Sequence, residues 1–173
     1  MFGSKKETMK AKRKTSKPVG GAATAALPLR VKSILVPMDF SESSKTALNY
    51  ALAVARQFKA AMTVLHVVEP VATPDFAPSF PLALENDQLM AAARGELESA
   101  VKAARIPRGT VKTILVRFGR SFHEIVEAAR TCKVDLIIIS THGYTGLKHA
   151  LLGSTTERVV RHAPCPVLVV RQH

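Results

Sequence analysis

An α/β domain is the fold that the sequence predicts: a parallel sheet of five strands with helices on both faces. Three observations lead to it. Five short runs are apolar or β-branched: VKSILVP (31–37), AMTVLHVV (61–68), TVKTILVRF (110–118), VDLIIIS (134–140) and PVLVVRQ (166–172). Segments with helical spacing of apolar residues lie between them, so the order reads β-α-β-α-β-α-β-α-β, which implies right-handed crossovers and covers both faces. The chain has 173 residues, of which 47% are apolar, enough for one packed core and a modest extension.

Each element has its own signal. The run 31–37 is short, β-branched and apolar from Ile34 onward, as suits a buried strand. After it, Ala47, Ala51, Leu52, Ala55 and Phe58 recur at helical spacing, with Ser41 as N-cap. The second strand, 61–68, leads into EPVATPDFAPSFP, where Pro70, Pro74, Pro78 and Pro81 forbid a helix or central strand. A helix is expected from about Leu84 to Ala104, stopping before Pro107. The third helix is expected to start at Ser121, whose spacing to Glu124 fits a capping box, and to bury Phe122, Ile125, Val126 and Ala129. The run 134–140 is the most apolar of the chain. A short helix at about 155–162 and the last strand complete the domain.

Residues 1–30 read differently. The chain carries 25 Lys and Arg against 13 Asp and Glu, a formal charge of +12. Seven of those cations, against the single acid Glu7, fall within residues 1–17, and PVGGAATAALPL follows. With no apolar face to bury, residues 1–30 are expected to form a flexible basic tail and linker. Pro18, Gly20 and Gly21 interrupt the Ala-rich stretch and argue against a signal peptide. Charge alone would let the tail touch nucleic acid or an anionic membrane, but a solvated arm is the favoured reading. No apolar run approaches the roughly 20 residues that span a bilayer. Two cysteines are too few for a disulfide scaffold or a four-ligand zinc site, so a cytoplasmic protein is expected.

Ligands of parallel sheets sit at the carboxyl ends of the strands, where the strand order reverses. That directs attention to the loops after Pro37, Val68 and Ser140. The loop after Ser140 runs through His142, Gly143, Gly146, Lys148, His149, Gly153, Ser154 and Thr155, with no Asp or Glu between Asp135 and Glu157. Gly153, Ser154 and Thr155 would offer N–H groups and hydroxyls at a helix N-terminus, which favours an anion. Ser154 and Glu157 also fit a capping box, so Ser154 serves equally well as a cap. Asp39, which ends the first strand, has two readings as well: an acceptor for ribose hydroxyls, or a carboxylate at the start of the first helix. Cys132 and Cys165 read as small apolar fillers. Phe76 and Phe80 read as loop anchors, with a lid over a ligand as the alternative. Histidines show no metal-ligand spacing, and Ser154 has no dedicated base.

ILVPMDFSESSKTAL (34–48), LHVVEP (65–70) and VDLIIISTHGYTGLKHALLGSTTERVVRHAPCPVLVV (134–170), with the spacing between them, resemble the universal stress protein family across residues 31–173. The resemblance implies a flavodoxin-like or Rossmann-like open sheet of five parallel strands and a homodimer. The family's ATP-binding branch carries Gly, two residues, Gly, nine residues, Gly, then Ser or Thr. Here Gly143, Gly153 and Ser154 match, and Ser140 stands at the first position. By resemblance, Pro37, Met38 and Asp39 line the nucleoside pocket with Asp39 on the ribose, close to Ser140. Val67 meets the adenine edge through its backbone. Gly143, Gly153, Ser154 and Thr155 hold phosphates, with His142 nearby.

The function expected is therefore a stress-response protein that binds ATP, with or without magnesium, as a dimeric regulatory module. The alternatives are a slow ATPase and a ligand-free dimeric scaffold acting through its basic tail. An ATPase needs a water-positioning base and a metal carboxylate. Asp39 and Glu42 are the nearby candidates and neither spacing is diagnostic, so at most weak hydrolysis is expected and no catalytic residue is assigned. Dimerisation is expected through PVLVVRQ, an edge strand with no proline or charge within Val167–Val170.

Overall fold

The computed structural model describes residues 30–70, 82–141 and 153–171, with the side chains of 82–85 left aside. Its elements are β1 (Ser33–Pro37), α1 (Glu42–Phe58), β2 (Ala61–Val68), α2 (Leu82–Ala103), β3 (Val111–Phe118), α3 (Ser121–Thr131), β4 (Leu136–Ser140), α4 (Ser154–His162) and β5 (Val167–Val170). All pairings are parallel and the strand order is β3-β2-β1-β4-β5. This is the open, doubly wound α/β sheet that the alternation of elements predicts.

The winding explains the two cores. From β1 the chain moves one way, through α1 to β2 and α2 to β3, so right-handed crossovers put α1 and α2 on one face. It then passes behind β1 to β4 and on to β5, which puts α3 and α4 on the other. Ile34, Val36, Met62, Val64 and Ile138 pack with Ala47, Leu48, Ala51 and Ala55 of α1 and Leu97 of α2. Leu35, Leu65, Ile137 and Ile139 pack with Ile125, Ala128 and Ala129 of α3 and Val159 of α4. Successive residues of β1 thus serve opposite faces, and Ile34, Leu35 and Val36 are all fully buried. That is why this strand reads as a continuous apolar run rather than an alternating one.

Helix boundaries follow local chemistry. Ser41 is the N-cap of α1, its Oγ accepting the N–H of Ser44 at 3.2 Å, as expected. Lys59 ends that helix in the left-handed region at φ 55°. The two proposed capping boxes do not form. Arg120, not Ser121, is the N-cap of α3, and Glu124 turns instead to Arg117 at 3.4 Å and His123 at 3.1 Å. Gly153, not Ser154, is the N-cap of α4, with no side-chain cap bond. In both helices the serine begins one residue further into the first turn than spacing suggested. Among the described residues, no helix is long and apolar enough to cross a membrane. The tail 1–29 and the loop bearing Phe76 and Phe80 lie outside the described residues.

Candidate functional site

The two central strands make the site by separating. β1 and β4 pair at Ile34↔Leu136 and Leu35↔Ile137, and the pairing stops there. β1 ends at Pro37, which has no N–H to extend a ladder. Between the strand ends opens a cleft, of which the described residues bound about 150 Å³. Pro37, Met38 and Asp39 line one side, Ile139 and Ser140 the other, with Leu65 and Val67 of β2, Ser121 and Ile125 of α3, and Gly153 to Thr156 at the start of α4.

The end of β1 is held by its neighbours. Met38 N–H donates to Leu65 O at 2.7 Å. Met38 O lies 2.7 Å from Nδ1 of His66; a carbonyl only accepts, so Nδ1 carries the proton. The Met38 side chain is 3% exposed and belongs to the core under α1, so this residue offers the cleft mainly its backbone. Phe40 follows with φ 65°, a left-handed conformation that a bulky residue seldom adopts, and its ring packs on His66 with centroids 4.5 Å apart. This kink turns the chain so that Asp39 faces both cleft and helix. Asp39 Oδ1 accepts the N–H of Ser41 at 3.1 Å and its hydroxyl at 2.6 Å. The carboxylate thus orients the residue that caps α1, which is the helix-start reading, and Asp39 lines the cleft as well. His66 was not anticipated, because its role depends on a carbonyl 28 residues away.

Val67 is placed by strand length. β1 reaches only to Pro37, opposite Leu65, whereas β2 continues to Val68. Backbone groups alternate sides along a strand, so those of Val67 point the same way as Leu65 O, which meets Met38 N–H. They point past the end of β1, into the cleft. A donor and an acceptor in line suit the edge of a flat heterocycle.

The opposite wall joins β4 to α4. Ser140 is 6% exposed, and its carbonyl accepts a 2.8 Å bond from the buried Thr156 hydroxyl. Gly153 N–H donates to Thr141 O at 2.7 Å. These two bonds fix the start of α4 against the end of β4, and they consume the Gly153 N–H that the sequence suggested for an anion. The N–H groups of Ser154, Thr155 and Thr156 in the first turn have no intrahelical acceptor, as at any helix start, and remain suited to one. Gly153 adopts φ −66° and ψ 147°, which any residue tolerates, so its use here is the lack of a side chain, not positive φ. His142 and Gly143, with Gly146, Lys148 and His149, lie outside the described residues.

The third wall, α3, was missed as a site element. Glu69, just past β2, accepts the Ser121 N–H at 2.8 Å. Bonds from the Ser121 hydroxyl and N–H hold the Glu69 carboxyl below its ordinary value. Glu69 therefore acts as the missing cap of α3 and leaves Ser121 and Ile125 against the cleft. Ser44, 1% exposed, lines it from α1. Burial pushes the Cys165 thiol up, and the charge of Asp135 adds to that, which suits a filler and not a nucleophile. Among the described residues, no three of His, Cys, Asp or Glu are grouped to hold a metal ion.

Comparison with known proteins places this architecture. The model of the universal stress protein family matches residues 30–171. A universal stress protein of Thermus aquaticus is 37% identical over 142 residues, covering 81% of this chain and 98% of the relative. One from Methanocaldococcus jannaschii is 34% identical over 141 residues, covering 82% of each chain. The solved structure of a second Methanocaldococcus jannaschii protein superposes with a TM-score of 0.68 at 32% identity, covering 83% of this chain and 97% of that one.

Proposed function

The chain belongs to the universal stress protein family, a family of stress-response proteins, and from that premise we propose that it binds ATP in the cleft between β1 and β4. The observation that carries the reading is the convergence of three separate features on one cleft. Val67 presents backbone groups past the end of β1. Asp39 stands at the end of β1, where a ribose would lie. The first turn of α4 presents Ser154 and Thr155, whose N–H groups and hydroxyls suit phosphate oxygens, with helix dipole in support. By the family's glycine pattern, Gly143 and His142, outside the described residues, would add phosphate contacts in this reading. Magnesium, where it accompanies ATP, is held largely by phosphates and water and needs few protein ligands.

The protein then works as a cytoplasmic homodimeric module whose nucleotide state alters its partners. Hydrolysis would need a water-positioning base and a metal carboxylate as well, and Asp39 already serves Ser41. Calorimetric titration of ATP with magnesium into the parent chain and Gly153→Val tests the site. The parent binds. The variant folds, since its backbone angles suit valine, and it loses binding because the side chain stands where the phosphates pass. Unchanged affinity in Gly153→Val would put the nucleotide elsewhere.

A further inference from the structure

At the other end of the sheet, away from the cleft, cations line up across the strands. Arg30 and Lys32 lead into β1, Arg56 and Lys59 close α1 ahead of β2, Arg108 precedes β3, and Lys133 precedes β4. All six are exposed. Among the described residues none of them makes an ion pair with a carboxylate. The backbone ties them side by side: Ala61 N–H donates to Lys32 O, Met62 N–H to Thr110 O, and Asp135 N–H to Ser33 O. Arg56, Lys59 and Arg108 also share a groove of about 350 Å³ with Gly109 and Thr110. At the usual strand spacing the row from β3 to β4 is about 14 Å long.

Complementing helix dipoles does not account for so much charge. The C-termini of α1, α2 and α3 contribute about half a negative charge each. Asp135 adds one, already engaged by the N–H groups of Lys32 and Ser33 at 2.7 and 2.9 Å. Six cations exceed that, and their mutual repulsion is a cost to the folded state. The row includes Arg30, the first of the described residues.

We infer that this basic end of the sheet docks the phosphate backbone of duplex DNA without sequence preference. A linear row suits a linear polyanion, and arginines grip phosphate in a bidentate manner. The exposed large apolar residues Tyr50, Leu89, Phe118, Val160 and Leu168 all lie outside the row. The row therefore lacks the aromatic platform on which single-stranded bases stack and the apolar residues that enter a bilayer.

Fluorescence anisotropy of a labelled 20-base-pair duplex, titrated with the full chain across a salt series, tests the inference. Binding is expected in the range of about 10⁻⁴–10⁻⁶ M near physiological salt, falling steeply as salt rises. Arg56→Glu and Arg108→Glu, each checked for folding by circular dichroism, are each expected to weaken binding and to lower the salt slope by about 0.9. Lys45→Glu, the same charge change at the other end of α1, is expected to leave the slope unchanged. Indifference to both row variants would assign any binding to residues 1–29 and overturn the inference. Tighter binding to a single strand of equal length, or to vesicles of phosphatidylserine and phosphatidylcholine, would overturn it as well. Should Arg56→Glu fail to fold, Lys32→Glu and Arg108→Glu carry the same test.

Discussion

Ser140 ends β4 and Asp39 lies two residues past the end of β1, and each combines a structural bond with a place on the cleft wall. Ser140 gives its carbonyl to Thr156 and its side chain to a wall of the cleft, where the family's ATP-binding pattern has glycine. Removing that side chain leaves the carbonyl bond in place, so Ser140→Gly is expected to bind ATP at least as tightly as the parent. Weaker binding in the calorimeter would make the hydroxyl a ligand contact. For Asp39, alanine would remove both the turn onto Ser41 and any ribose contact, and the two losses would be confounded. Asn keeps an acceptor for Ser41 and removes the charge. Asp39→Asn is therefore expected to melt close to the parent yet to bind ATP more weakly by about 1.5–3 kcal/mol, the range for hydrogen bonds to charged groups. A variant that loses stability but keeps its affinity would reduce Asp39 to a helix-start residue.

Elements are joined here by end groups more than by their own caps. The N-terminus of α3 is closed by Glu69 from the end of β2, across 52 residues of sequence. Its carboxyl is held below the ordinary value in the folded chain, so its contribution is present at neutral pH and is lost as pH falls through that lowered value. Glu69→Ala is expected to cost about 0.5–1 kcal/mol at pH 7, at the modest end of capping effects because Glu69 is exposed. The gap between parent and variant should narrow as melts are taken to progressively more acid pH; a pH-independent gap would point to packing instead. β5 makes a second case. It lies at the sheet edge, where an apolar strand invites its copy, and the alternation of its side chains decides how to test that. Val167 and Val169 pack on the α3 and α4 side, whereas Leu168 is 40% exposed. Leu168→Lys is thus the clean substitution, because Val169→Lys would damage the monomer's own core. Light scattering is expected to show a dimer for the parent and a monomer for Leu168→Lys.

Charge is arranged differently at the two ends of the sheet. At the cleft end, Glu42 and Glu124 are paired with Lys45 and Arg117, whereas the row of cations at the opposite end makes no ion pair among the described residues. The proposed nucleotide site and the proposed polyanion surface therefore lie at opposite ends of the sheet. Residues 18–29 contain no charge and separate the first seven cations from Arg30. Among the described residues, the two cores are built from positions between 31 and 170. A chain beginning at Leu29 is accordingly expected to melt within a few degrees of the full chain and to bind ATP with the same affinity. Aggregation or a large fall in melting temperature would mean that the tail docks on the domain.

The sequence by itself determined the five strands, their alternation with four helices, and the location of the cleft at the ends of β1 and β4. Those features rest on local periodicity and on handedness, both of which are written in consecutive residues. Ser41 as a cap belongs to the same class, whereas Val67 was singled out by the family resemblance. Tertiary structure decided what depends on residues far apart in the chain. It replaced the capping box of Ser121 with Glu69, because a helix start takes the best-placed acceptor from any element rather than the nearest matching spacing, and it began α4 at Gly153 with no side-chain cap. It turned Met38 into the core, engaged the Gly153 N–H with Thr141, and brought His66 under the end of β1. The row of cations also exists only once the strands are ordered, since Arg108, Lys59, Lys32 and Lys133 become neighbours through sheet pairing and not through sequence.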